Sequence, residues 1–424
     1  MKKANLLILI LLTLMLMNSG CSNYSVKDQE PVYVKDAYDL ISVVESTHPA
    51  FVLDDIPDNY EQEKQEFIDS ITRDTSKDGF ILLIRKYLTV LQDGHTGVSS
   101  SSSNTQLLDV NCQAVGEKLF LVNEDESLSN AYITYIGGVP IDQIFKTVQA
   151  YFVAENDAAR DVNNSIWSLN DKVLNMTGCD IQNNSAEITV DQNGVNNKKN
   201  IKFVDGSKNK YASLYNYSYE IKSEMINDIF YIDMNICEVN NNLESQVSEL
   251  KKAIENGVTK VIIDVRDNPG GDSTACEKLL QAMDMNPPSY GMFVRYSELA
   301  HEKYGFASEG FEQYDPDKTT AKRNEKIQLV VLTNELTYSS ATMMTGFVQD
   351  GDLGTVIGRP SSNSPSSYGD ILYYQLPVSG IEVSISYKRF LRPDTEADPR
   401  VIMPDIVTEY GQDILQTAIE YLDK

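Results

Sequence analysis

Apolar residues recur along this chain in three rhythms. Between residues 35 and 95 they fall at helical spacing. Asp36 to Val44 has that spacing, and so does Phe80 to Leu91, with Ile81, Ile84, Leu88 and Leu91 along one face. From 107 to 205 short alternating stretches take over, among them Leu119–Val122 and Ala186–Val190, and Asn193-Gly194 is a hairpin turn signal. This part reads as a small β-rich domain that ends in the polar stretch Asp205–Lys210. From 211 to 424 strands and helices alternate. Ile229–Ile236, Val261–Val265, Ile327–Leu332 and Thr355–Ile357 read as strands. Helical spacing is found at Leu243, Val247, Leu250 and Ile254, over Ala275–Met285 and over Ser340–Gln349. Continuous apolar strands between amphipathic helices predict an α/β core on a largely parallel sheet covered on both faces.

The first 34 residues stand outside this pattern. Lys2 and Lys3 precede an uncharged apolar run, Leu6–Met17, which is short for a membrane span and has the layout of a secretory signal. The run leads into Asn18-Ser19-Gly20-Cys21, which resembles a bacterial lipobox. Residues 1–20 are therefore expected to be a signal peptide. Cys21 is expected to be the lipidated N-terminus, and 21–34 a polar tether. These expectations place the protein outside the cytoplasm, lipid-anchored to a bacterial cell membrane.

Composition narrows the choice further. Of 424 residues, 42% are hydrophobic and 23% charged, which excludes a disordered chain, a collagen-like fibre and a polytopic membrane protein. The net charge of −26 would repel phosphate backbones, so no nucleic-acid partner is expected. Cys112, Cys179, Cys237 and Cys276 show no C-x-x-C spacing, so a zinc or redox motif has no support. Cys237 and Cys276 read as small buried thiols, and a Cys112–Cys179 bridge is compatible with an extracytoplasmic site.

Two loops carry candidate chemistry. Asp267-Asn268-Pro269-Gly270-Gly271-Asp272 follows a buried strand and precedes a helix. It can be a plain turn, or its glycine N–H groups can hold a developing oxyanion. Asn334–Thr342 has the same placement. Ser339 or Ser340 there can cap the helix or project a nucleophilic hydroxyl. Ser273 is a third serine near these loops, and no G-x-S-x-G elbow occurs in the chain.

Together these segments resemble the C-terminal-processing (tail-specific) serine peptidase family. Val261–Gly271 is similar to one family signature and Thr337–Asp350 to the nucleophile segment. Gly354–Gly358 is similar to the strand that follows, and Val401–Val407 to the closing Pro-Asp motif. Gly137–Ile141 resembles the family's PDZ-like insertion. The resemblance implies a peptidase core over 211–424 and a PDZ-like domain over 107–205. It makes Ser339 the nucleophile, with Ser340 N–H and one of Gly270 or Gly271 as the oxyanion hole. The best-known members use a Lys base, but Arg359–Ser367 contains none, and Arg359 is permanently charged. Leu91–Thr96 resembles instead the histidine motif of the branch typified by the tricorn core protease. That makes His95, in the N-terminal helical region 35–106, the base. His48 resembles another segment of that branch, and His301 reads as a surface group. The branch's supporting acid falls among Asp394, Glu396 and Asp398, with Glu396 preferred. The implied activity is a serine endopeptidase acting on peptides or on C-terminal and unfolded segments, needing neither metal nor other cofactor. The alternative is an inactive peptide-binding lipoprotein of the same fold.

Overall fold

The computed structural model describes residues 31–98, 105–206 and 219–424. Cys21, the signal and most of the tether lie outside the described residues, as do the serines at 99–103. The central sheet has six strands, in the order Ile221–Ile226, Ile229–Met234, Lys260–Asp264, Gln328–Thr333, Thr355–Gly358 and Ile406–Val407. The first pair is an antiparallel hairpin and every later pair is parallel.

Its strands are apolar on both faces because both faces are covered. Val261, Ile263, Leu329, Val331 and Val356 pack under the helices Asn241–Glu255, Thr274–Ala282 and Ser340–Asp350. Ile262, Val330, Leu332 and Ile357 pack against the C-terminal helix Ile414–Leu422. Asp405 of the Pro-Asp motif is structural: it accepts the Val356 N–H at 2.8 Å and the Gln349 side-chain amide at 3.1 Å.

The other two sheets are antiparallel. One joins Gly97–Val98, Tyr368–Gln375, Glu382–Leu391, Gly291–Arg295 and Phe311–Tyr314. Val383 and Ile385 of this sheet share a core with Leu40 and Val44 of the Val34–Thr47 helix and with Ile84 and Leu88 of Lys77–Leu88. The third sheet fills the region 106–205, where Asn193 and Gly194 turn with φ of 56° and 81° between Ser185–Gln192 and Val195–Asp205.

One expectation is corrected here. The parallel arrangement holds for the six-stranded sheet, whereas antiparallel pairs predominate over the molecule. The 107–205 region also contains the helices Ile141–Tyr151, Asp157–Trp167 and Asp171–Met176, which pack on its sheet. Their short polar-interrupted repeats hid them among alternating stretches. Cys112 and Cys179 are buried free thiols rather than a bridge, and Cys237 and Cys276 are buried as expected. No helix among the described residues is long and apolar enough to cross a membrane.

Leu40 is fully buried at the seam between the N-terminal helices and the antiparallel sheet. Leu40→Ala should cost about 2–5 kcal/mol. Denaturant titration should show the loss as a shift of one cooperative transition. An early separate melting of the N-terminal helices would contradict the shared core.

Candidate active site

Two loops leave the C-terminal ends of adjacent parallel strands, the edge where open α/β sheets place ligands. They are tied to each other. The Tyr338 N–H donates to Asn268 O at 2.9 Å, Thr337 Oγ1 to Val265 O at 2.8 Å and Asn334 Nδ2 to Asp267 Oδ1 at 2.8 Å. Asn268 is itself buried and donates to Met234 O at 2.6 Å.

This frame holds Ser339 at φ 53° and ψ −125°, at the turn from the Gln328–Thr333 strand into the Ser340–Asp350 helix. A non-glycine residue there is strained by about 1–3 kcal/mol. The Ser339 hydroxyl caps no helix N–H, and its own N–H donates to Asn363 Oδ1 at 2.9 Å. Ser340 is buried, and its hydroxyl donates to Gly271 O at 2.7 Å. Ser273 sits at the N-cap of Thr274–Ala282 without capping it, on the wall of the same cavity. Of the three serines, Ser339 alone combines a strained backbone with a place at the turn between strand and helix.

The Pro-Gly-Gly loop passes so close that a Cβ on Gly270 would lie 2.5 Å from Ser339 Cβ and 2.9 Å from Ser340 N. Gly270 has φ +97°, and its N–H is committed to Asn268 Oδ1 at 2.8 Å. The N–H groups of Gly271 and Ser340 have no acceptor among the described residues. Of the two glycines, Gly271 is therefore the one with a donor to spare.

A cavity of ≈ 850 Å³ opens over this turn, and its walls include Ser339, His95, Gly271, Asn363 and Lys388. Lys388 Nζ is held 2.5 Å from Asp370 Oδ2, so the one lysine on this wall is ion-paired. Arg359 pairs with Glu335 at 2.8 Å, on a different cavity.

His95 enters from the loop before Gly97–Val98. Its carbonyl accepts from Ser384 Oγ at 2.9 Å, which ties that loop to the Glu382–Leu391 strand. The ring packs at 5.0 Å, centroid to centroid, from Tyr338. Both ring nitrogens are buried and neither has a hydrogen-bond partner among the described residues; Nδ1 lies 3.9 Å from Asp93 Oδ1. His95 also lines a second cavity, ≈ 410 Å³, whose walls include Asp93, Glu155, Arg85 and Tyr151.

Two carboxylates flank His95, and neither was singled out from the sequence. Asp93 is fully buried and accepts from His48 Nε2 at 3.1 Å and from the His95 N–H at 2.9 Å. Burial pushes its pKa up, but the His48 hydrogen bond and the His48 and His95 charges outweigh this and hold it well below the usual carboxylate range. Glu155 is raised above its ordinary value, mainly by burial. Asp93 could have been found, since it stands two residues before His95 in the quoted motif. Glu155, in Ala154-Glu155-Asn156, carries no signal beyond being acidic.

The expected acid, Glu396, is corrected. It is exposed, with its N–H donating to Asp394 Oδ1 at 3.1 Å. Asp394 pairs with Lys318 at 3.0 Å, and Asp398 faces a separate ≈ 440 Å³ cavity. None of the three lines either cavity that His95 lines, which sequence position along a turn could not reveal. His48 proves to be a buried partner of Asp93, and His301 is exposed, bonded to Phe306 O.

Asp93, His95 and Glu155 offer donor atoms within 4.8 Å of one another, a spacing able to hold a metal ion. The Glu155 oxygens, however, already accept from Gly94 N, Asn363 Nδ2 and Ser364 N. A metal would have to displace these donors.

Residues 228–408 match the description of peptidase family S41. The chain carries a peptidase family S41 domain. That domain contains both loops and makes the protein a serine-type peptidase. The solved structure of mature CPAF complexed with lactacystin is 14% identical, with 92% of this chain and 96% of that chain covered and a TM-score of 0.60. The photosystem II D1 C-terminal processing protease is 11% identical, over 89% of this chain and 93% of that chain, with a TM-score of 0.45. The tricorn protease is 14% identical, over 92% of this chain and 36% of that chain, with a TM-score of 0.42. At these identities the CPAF likeness is one of fold, and the two lower scores carry no weight. No curated protein sequence matches the chain.

Two predictions follow from the S41 site. Gly270→Ala, placing a methyl against Ser339, should lower the rate of peptide hydrolysis by about 10²–10³-fold in a folded protein, comparable to loss of an oxyanion donor. Asp93→Asn should destabilise by about 1–3 kcal/mol at pH 7. Because the Asp93 pKa is depressed on folding, its contribution is complete above the unfolded value of about 3.9 and fades as pH falls through the folded value. The stability gap between wild type and variant, measured by thermal unfolding, should therefore narrow below about pH 4.

Proposed function

We propose that this serine-type peptidase is a secreted endopeptidase, anchored through a lipidated Cys21, that works by a serine–histidine mechanism. Ser339 Oγ attacks the peptide carbonyl carbon as a ring nitrogen of His95 takes the hydroxyl proton. The carbonyl oxygen becomes an oxyanion held by the N–H groups of Gly271 and Ser340. The protonated His95 then passes its proton to the leaving amine, and water hydrolyses the acyl-enzyme in the reverse sequence. Asp93, 3.9 Å from His95 Nδ1, is the carboxylate that orients the ring; a small ring rotation on substrate binding brings the two into contact.

The observation that carries this reading is the strained, non-capping Ser339 on the same cavity wall as His95 and next to two uncommitted N–H donors. The ion pair on Lys388 supports histidine over lysine as the base. The substrates are peptides or the C-terminal and unfolded segments of proteins, with the 107–205 region acting as a PDZ-like module that holds the chain end. An inactive binding protein would have no need for a strained hydroxyl facing a cavity.

Hydrolysis of an unfolded protein substrate tests this. Ser339→Ala and His95→Ala should each reduce kcat by at least about 10³-fold, while the folded state persists by circular dichroism. Ser340→Ala, which keeps the backbone N–H, should retain a measurable rate. Undiminished hydrolysis by Ser339→Ala would remove the assignment.

A further inference from the structure

The carboxylate of Glu155 is the meeting point of the two halves of this site. Its Oε1 accepts the N–H of Gly94, the residue before His95, at 2.9 Å. Its Oε2 accepts Asn363 Nδ2 and the Ser364 N–H, both at 2.8 Å. The Tyr338 hydroxyl, on the residue before Ser339, lies in hydrogen-bonding range of the same carboxylate. The amide of Asn363 has one oxygen and one nitrogen to offer. With the nitrogen committed to Glu155, its Oδ1 is turned toward the Ser339 N–H, at 2.9 Å. A chain of hydrogen bonds thus runs from the histidine loop, through one carboxylate, to the backbone of the nucleophile.

Glu155 does not come from the S41 domain. It lies between the helices Ile141–Tyr151 and Asp157–Trp167 of the 107–205 region. That segment is latched onto the peptidase body. Arg400 donates from Nε and Nη2 to Glu155 O at 3.2 and 3.0 Å, and Asn156 Nδ2 donates to Ser361 O and Arg400 O at 3.1 Å each. A carboxylate placed only to fill space would not face three N–H donors from two separate loops. Burying an ionised group is costly unless such donors receive it.

We propose that Glu155 is a positioning residue of this peptidase: it sets the register between His95 and Ser339 by holding Gly94, Asn363 and Ser364 on one carboxylate. The 107–205 region is thereby a structural part of the active site. The inference rests on the serine–histidine reading above and assigns Glu155 no contact with the substrate.

Glu155→Gln tests it, because glutamine keeps the shape but turns an NH2 group toward two of the donors. A misplacement of the reacting groups by about 1 Å costs about 10²-fold in rate. The variant should remain folded and lose about that factor in kcat with KM within about two-fold of wild type, because Glu155 itself does not line the cavity over Ser339. Its rate of labelling by a fluorophosphonate should fall in parallel. Asn363→Ala should act through the same chain, so the double variant should be no slower than the slower single one. If Glu155→Gln does not fold, Tyr338→Phe removes a single donor and decides: a several-fold loss of kcat at unchanged KM supports the assignment, and a wild-type kcat overturns it. A folded Glu155→Gln with wild-type kcat, a change in KM alone, or multiplicative losses in the double variant also overturn it. Ser339→Ala measured alongside separates the failures. If it too is active, the serine–histidine reading is lost; if it is inactive while Glu155→Gln is normal, only the role of Glu155 is lost.

Discussion

The backbone conformation of Ser339 is the constraint from which the rest of the site follows. A residue with a Cβ does not rest at φ 53° and ψ −125° unless its surroundings impose it. Those surroundings are the Asn268–Tyr338 and Thr337–Val265 bonds, the bond from Ser339 N–H to Asn363, and a glycine loop passing where no side chain would fit. The parallel sheet supplies the foundation. Its two central strands run side by side in register, Ile263 opposite Val331 and Asp264 opposite Leu332, so their C-terminal loops emerge together. The strain in the turn points the Ser339 hydroxyl away from the capping position that a serine would otherwise fill.

The electrostatics around His95 follow from burial. Asp93 is kept ionised inside the protein by His48, by the His95 charge and by the Thr96 hydroxyl, despite the cost of desolvation. Tyr338 is pushed well above its ordinary pKa, first by burial and then by the Glu155 and Asp93 charges, so its hydroxyl stays protonated and remains a donor. An imidazole beside the buried Asp93 and the half-buried Glu155 is well placed to stabilise a proton, as the proposed mechanism requires. The ring nitrogens of His95 have no partner among the described residues, which suits a base awaiting substrate.

Much of this was legible in the sequence because the central strands are buried on both faces. Val261–Val265 and Ile327–Leu332 read as continuous apolar runs, and the loops after them carry the motifs. In the antiparallel sheet, Val383, Ile385 and Tyr387 of Glu382–Leu391 do alternate with polar residues, whereas the partner strand Tyr368–Gln375, with Asp370 and adjacent tyrosines, carries no such pattern. The proposed nucleophile and base, Ser339 and His95, stood in recognisable motifs. The acid did not: proximity along the chain to the Pro-Asp segment pointed to Glu396, while packing brought Asp93 and Glu155 to the ring. Glu155 lies 60 residues from His95 and 184 from Ser339 in a stretch without a motif, and only the tertiary fold unites them. The stretch Arg359–Ser367 stood out in the sequence only for its lack of a lysine, yet Asn363 and Ser364 within it are buried and line the cavity over Ser339.

The central claim is that Ser339 is a nucleophile activated by His95. Its most direct measurement is reaction of the folded protein with a fluorophosphonate probe, the modified residue being mapped by mass spectrometry in wild type and in His95→Ala. A single adduct on Ser339 that disappears in His95→Ala is the predicted result. An adduct on Ser340 or Ser273, labelling of Ser339 that survives loss of His95, or no adduct on a folded protein that hydrolyses peptides would contradict it.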